Sequence, residues 1–295
     1  MAKNEFLPFG VAANANVIPN ADYQVLPARA SGFSSGVAKS EQLNTVWRQA
    51  SVITSSLAQF IADKSGKDML DDGDVAAIQN NLALALLSAS PGRLLNTQTF
   101  RVSANYTPTP GTKFIRITMT GAGGGAGGCQ ASASNETYFG AGGGAGATVI
   151  STFTLTGAAN YPVVIGSGGT GGMAASNGSN GGTTSFSTVL SAPGGEGGGK
   201  LGVSSTNGGR GGVATTGDIR LNGGYGGDGQ YGLIAVNGQG GASYFGGGGR
   251  AGAGGGVNGA APGAGGGGAY DSGYSGVAMR GGDGAPGMII IEEFS

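Results

Sequence analysis

The sequence predicts an α+β chain: helices first, then an antiparallel β domain carrying long glycine-rich loops. Three observations support this class. Of 295 residues, 67 are glycine, about three times the usual share, and all but seven of them follow residue 120. Apolar residues between positions 40 and 61 recur at spacings that alternate between about three and four, the period of a helix seam. Residues 113–120 alternate strictly, with Ile115, Ile117 and Met119 on one face and Arg116, Thr118 and Thr120 on the other.

From the N-terminus, these patterns divide the chain into an N-terminal segment (1–35), a helical oligomerisation region (36–92) and a glycine-rich β domain (93–295). The first helix starts at Ser40, a plausible N-cap, and stops near Ser65 and Gly66. Its seam is Leu43, Val46, Trp47, Ala50, Ile53, Leu57, Phe60 and Ile61. A second helix follows Asp74, carries Val75, Ile78, Leu82 and Leu86 on one face, and ends before Pro91. Two such helices are too little for an independent core, and the seam lacks another apolar segment to face, so self-association is expected. The acids Asp68, Asp71, Asp72 and Asp74 lack EF-hand spacing and read as a solvated turn and helix cap.

Strands are expected over Phe100 to Ala104, over 113–120, over 148–156 and 161–165, and over Met288 to Ile291. The strands at either end of the glycine-rich block are expected to pair and close one jelly-roll-like β-sandwich. Within the block, Asn-Gly and Asp-Gly pairs at 177, 180, 207, 222, 228, 237, 258 and 283 read as turns with positive φ. YFGAGGGAGA at 138–147 is echoed by YFGGGGRAGA at 244–253. Fixing a glycine costs about 0.5–1 kcal/mol relative to alanine. Close backbone packing that only glycine permits, as in bundled polyproline-II-like helices, is one way to offset that cost, and oligomer burial is another.

Composition argues against most chemistry. There is no histidine and one cysteine, Cys129, which leaves no imidazole base, no disulfide within the chain and no thiolate metal cage. No metal site or cofactor is expected. A net charge of −1 leaves no footprint for nucleic acid. No secretory signal opens the chain, and the longest apolar run, 82–87, is far short of a membrane helix. The GxGxxG at 123–128 is a chance product of abundant glycine, and the P-loop-like stretch ending at Lys200 has Leu201 where a Ser or Thr is needed. Carboxylates are few and scattered, so catalysis is not expected. What remains is adaptable binding chemistry, with aromatics between glycine runs. The receptor-binding candidates are Tyr225, Tyr231, Tyr270, Tyr274, Tyr244, Arg250, Asp228 and Asp271, while Phe139 and Phe245 read as core plugs.

The opening FLPFGVAANANVIPNADYQVLPARASGFSSGVAKSEQLNTVWRQASVITSSLAQFIAD, with SEQLNTVWRQ its most specific phrase, resembles the N-terminal region of tail fibre proteins of tailed bacteriophages and prophages. YTPTPGTKFIRITMTGAGGGAGG and GAPGMIIIEEF, which bracket the glycine-rich part, are similar to the terminal domain of such fibres. The resemblance implies a homotrimer with a helical or coiled-coil stem. Its N-terminal region would attach to the tail or baseplate. Its distal domain would bind a host surface receptor: a glycan, a pilus or an outer-membrane protein. Such a protein belongs to the virion, is assembled in host cytoplasm and acts at the host surface without catalysis or membrane insertion. A structural tail connector and a polysaccharide depolymerase tailspike are the alternative readings.

Overall fold

The computed structural model describes residues 2–130, 139–157, 160–199, 206–229, 238–273 and 275–295. The chain is α+β with antiparallel sheets and divides into two compact units, Met1–Gly92 and Arg93–Ser295.

In the first unit, short helices α1 (Asn20–Val25) and α2 (Ala28–Ser31) precede α3 (Ser40–Ser65) and α4 (Val75–Ala89). Gly66, left-handed at φ 69°, ends α3, a conformation that favours glycine. The N-cap of α3 is Lys39 and not Ser40; the Ser40 hydroxyl accepts a hydrogen bond from the Asn16 side chain instead. The acidic turn folds as its spacing predicts. Asp74 caps α4 by accepting from the Ala77 amide at 3.0 Å, and Asp72 accepts from the Asp74 amide. Ala58, Ile61, Ala62, Met69 and Ala85 form a small core, with Phe6, Ile78 and Leu82 packed against it. Ile61 therefore faces inward at 2% exposure, whereas Val46, Trp47, Ile53, Leu57 and Phe60 stay exposed.

In the second unit, one sheet orders β1 (Leu94–Phe100), β11 (Met288–Phe294), β3 (Phe114–Thr120), β4 (Thr148–Thr154) and β8 (Ile219–Leu221). The other orders β2 (Ala104–Tyr106), β5 (Tyr161–Val164), β6 (Thr184–Phe186) and β7 (Leu190–Ala192), and β9 (Gly252–Ala253) and β10 (Ala269–Tyr270) form a short parallel pair. The final strand pairs antiparallel with both β1 and β3, so the two ends of the glycine-rich block do meet. β4 and β5, though joined by a short connection, belong to different sheets. Both sheets contribute to one apolar core: Ile115, Ile117, Met119, Val149, Ile289 and Ile291 from the first, and Tyr106, Tyr161, Val163, Phe186 and Leu190 from the second.

The glycine-rich segments are not loops hung on these sheets. They form an array of extended runs bonded to one another along their length. In the run 121–129, the amides of Gly121, Gly124 and Gly127 donate to the carbonyls of Ala147, Gly144 and Ala141. Those of Ala122, Gly125 and Gly128 donate to Gly182, Ser179 and Ser176, and those of Gly123, Ala126 and Cys129 to Ala285, Gly282 and Met279. Three donors per turn thus point to three different neighbours. The carbonyls of the same run accept from three more neighbours, through Gly169 and Gly172, Gly195 and Gly198, and Gly266 and Ala269. A three-residue period with no bonds inside the run is polyproline-II geometry. It pairs the amides of the run and most of its carbonyls laterally, as burial of backbone requires.

The runs 139–147 and 264–270 are surrounded in the same way, and together with 121–129 they make a central triangle. Around it lie 166–172, 176–182, 193–199, 206–212, 222–229, 238–242, 247–252, 256–259 and 279–286, each bonded to the next in a closed ring. Successive runs travel in opposite directions. One end of the array is continuous with the sheets, because β3 enters 121–129 and 139–147 leads into β4. At the other end, isolated bridges join Cys129 to Met279, Phe139 to Tyr270, and Thr206 to Gly229.

This packing corrects the turn reading of the Asn-Gly and Asp-Gly pairs. Glycines 178, 181, 208, 223, 229, 259 and 284 do not have positive φ; they lie within the runs. The side chains before them serve a different purpose, supplying acceptors to rim amides. Asn180 accepts from Gly197, Asp228 from Gly208, Asn258 from Asp283 and Asp283 from Gly171, at 2.7 to 2.9 Å. Asn237 lies outside the described residues.

Candidate interaction surface

A polyproline-II run at the rim of the array turns every third side chain outward, so the outer runs display side chains on a lattice. On 222–229 the outward series is Asn222, Tyr225 and Asp228, all exposed; on 206–212 it includes Asn207 and Arg210. The inward positions are glycine because neighbouring carbonyls occupy the space of a Cβ. The motif echo illustrates this rule. Gly144 sits in the central run 139–147, where a Cβ would stand 2.1 Å from the Arg210 carbonyl oxygen. Its counterpart, Arg250, lies on the outer run 247–252 and is exposed.

The binding candidates fall at several places. Tyr225, 72% exposed, and Arg250 lie on the side of the array. Asp228 lies one turn beyond Tyr225. Tyr244, also exposed, sits in the turn after 238–242, edge-on to Phe245. That turn is toward the sheet end, since Ala242 bonds to Gly224, which in turn accepts from Ala145. Tyr270 is at the opposite end, half-buried and stacked on Phe139 with ring centroids 4.9 Å apart. Phe139 is buried, as a core plug should be.

Asp271 is 1% exposed, which removes it from the surface where the sequence reading placed it. Its carboxylate accepts from the Ser275 hydroxyl and the Gly276 amide and holds its own loop together. Burial alone would raise its pKa, but these hydrogen bonds outweigh that effect and leave it lowered. Tyr231 and Tyr274 lie outside the described residues.

A polar group that pattern reading did not single out is buried at the sheet. Glu293, 0% exposed on β11, accepts from the Gln98 side chain at 2.9 Å and the Thr109 amide at 3.3 Å. The Tyr106 hydroxyl faces this carboxylate without reaching hydrogen-bond geometry. Burial and the adjacent carboxylate push the Tyr106 phenol far up. For Glu293, burial acts upward, but the bonds from Thr109 and Gln98 and the Tyr106 hydroxyl prevail and lower its pKa. The sequence signal was an acid in phase with apolar Ile289 and Ile291 on the inward face of β11.

Among the described residues, no group of His, Cys, Asp and Glu could hold a metal ion, and no helix is long and apolar enough to cross a membrane. In the first unit, Phe9 meets Trp47 edge-on at 5.9 Å, beside an open hollow of about 440 Å³ lined by Phe6, Leu7, Ala50 and Thr54 among others.

A family model described as a glycine-rich domain matches residues 97–293. No curated protein matches the chain.

Proposed function

The chain belongs to the glycine-rich domain family; we propose that it is a non-catalytic receptor-binding fibre or fibre-tip protein of a tailed phage or related particle. The observation that carries this reading is the construction of the array. Backbone and alanine methyls build its interior, so the outward side chains are free to vary without disturbing it. A rigid scaffold that displays changeable side chains is how recognition surfaces are commonly organised.

The first unit supports the attachment half of the reading. Val46, Trp47, Ile53, Leu57 and Phe60 form an exposed apolar stripe on α3, of the kind a symmetric trimer would bury in a helical stem. In this proposal residues 1–35 attach to the tail or baseplate, and the two sheets that share a core are a small sandwich at the base of the array. Three binding domains per trimer and several trimers per particle would raise avidity by linkage.

Labelled full-length protein should stain susceptible cells in a panel of bacterial strains, while protein ending at residue 92 should not. Light scattering should give three times the chain mass, and Ile53→Asp should reduce it. A monomer in solution rejects the stem, and the absence of staining on every strain rejects the receptor role.

A further inference from the structure

The hollow of about 440 Å³ in the first unit has two unlike ends. Residues 4–9 run back along α3: the Asn4 side chain donates to the Ser55 carbonyl and the Phe9 amide to the Ser51 hydroxyl. Glu5 therefore lines the hollow near Thr54, and Asp71 joins it there, its amide donating to the Glu5 carboxylate at 3.0 Å. Two helical turns earlier on α3, about 10 Å away, Trp47 meets Phe9 edge-on. One end of the hollow is thus acidic and the other aromatic.

We propose that this hollow receives an extended segment of a tail or baseplate protein, with an apolar side chain against Trp47 and Phe9 and an arginine or lysine, two residues along, on the Asp71 carboxylate. Alternate side chains of an extended strand share a face about 7 Å apart, and the length of the basic side chain spans the rest. The inference rests on the attachment half of the proposed function and names the chemistry of the partner.

Three observations carry it. The first is charge. Residues 68–74 hold four acids and no base. Asp68, Asp72 and Asp74 each accept from a backbone amide, and Glu5 is paired with Lys3. The Asp71 carboxylate has neither a hydrogen bond nor an ion pair among the described residues, so it is the acid left for a cation from outside. The second is apolar surface. Leu7 is 76% exposed and Trp47 53%, and both line the hollow with Phe9, where a partner's apolar group gains by leaving water. The third is position. At 3.6 residues per turn, Trp47, Ala50, Ser51 and Thr54 lie on a face about a quarter turn from Val46, Ile53 and Phe60. A stem that buries the latter leaves the hollow at its flank. A parallel stem brings Gln42, Gln49, Ser56 and Asp63 of the next copy beside that flank. None is a base, so a second copy does not supply the cation.

Trp47 is the chain's single tryptophan, so its emission reports occupancy of the hollow in the full-length protein. The probe is an acetylated, amidated pentapeptide with leucine second, arginine fourth and serine elsewhere, titrated through the millimolar range. It should shift the emission saturably. Citrulline in place of arginine keeps the shape without the charge and should weaken binding by about tenfold, as loss of a charged hydrogen-bonding partner implies. Serine in place of leucine should weaken it by about tenfold as well. Asp71→Asn should lower affinity for the arginine peptide by about tenfold and leave the citrulline peptide unchanged. Asp22→Asn, which alters an acid of α1 away from the hollow, should change nothing. No saturable shift, equal binding of the arginine and citrulline peptides, or unchanged affinity in Asp71→Asn overturns the proposal. The peptide comparison is made on the native protein, so it decides the matter even where a variant folds poorly. If the peptide fails while the protein is trimeric and stains cells, only this site is lost; if the peptide binds while staining fails on every strain, the receptor reading is lost and the site stands.

Discussion

At the residue scale, glycine in the array is needed for the space its hydrogen leaves, and only rarely for its freedom in φ. A Cβ on Gly124 would stand 2.0 Å from the Glu196 carbonyl oxygen, a backbone atom that cannot turn aside. A Cβ on Gly247 would meet nothing within 4 Å, and its φ is not positive. Gly124→Ala should therefore cost about 3 kcal/mol, the upper end for overpacking. Gly247→Ala should be neutral or stabilise by about 0.4–1 kcal/mol by restricting the unfolded chain. Thermal melts of the two variants check this, and equal losses would mean that close approach is not the constraint. Glycine abundance was legible in the sequence, but this division was not, because adjacent glycines in a run face different neighbours. The Asn-Gly pairs were misread for a related reason: the dipeptide marks a turn when bonded locally and a rim position when bonded laterally. Deamidation requires the following glycine nitrogen to attack the asparagine side chain. In the runs the nitrogens of Gly178, Gly181, Gly223 and Gly259 instead donate to Gly198, Gly195, Gly212 and Asp283. Peptide mapping of aged protein should find these four asparagines intact under conditions that deamidate the unfolded chain.

At the element scale, what the sequence made legible is what burial and period determine. The alternation in 113–120 became β3 with Ile115, Ile117 and Met119 at 0% exposure, and the α3 seam became a helix stripe. Pairing partners were legible only at the ends, where β11 closes against β1 and β3. Polyproline-II-like bundling was legible as one way to pack so many glycines, but which run faces which was not, since the partners are set by carbonyls distant in sequence and carry no side-chain signal. Glu293 adds a constraint at β11 that has a pH dependence. Its folded pKa lies below the ordinary 4.5. Its ionised form therefore contributes stability above about pH 4.5, and that contribution is lost as pH falls through the lower folded value. The melting-temperature advantage of the native protein over Glu293→Gln should be full at neutral pH and shrink below pH 4.5. An advantage that is constant down to strongly acidic pH would show that the carboxylate is not held ionised by Gln98, Thr109 and Tyr106.

At the scale of the whole molecule, two kinds of interior meet in one unit and should leave different thermodynamic marks. The sheets bury Ile, Val, Phe and Tyr side chains in a conventional apolar core. The array buries peptide groups, with side chains that are mostly a hydrogen or a methyl, and bonds them laterally at 2.7 to 3.3 Å. Unfolding exposes both, but with opposite effects on heat capacity: apolar surface raises it by about 0.45 cal/K/mol/Å² and polar surface lowers it by about 0.26. A domain whose larger part exposes backbone should thus unfold with a heat-capacity change well below the usual ~12–15 cal/mol/K per residue. Its stability curve should be correspondingly flat, losing little on cooling, because the hydrophobic contribution that fades in the cold is a small share of what holds it. Calorimetry over a series of melting temperatures set by pH or denaturant reads this slope directly. A value at or above the usual range would mean that apolar burial, and not the lateral backbone lattice, dominates the stability of residues 93–295.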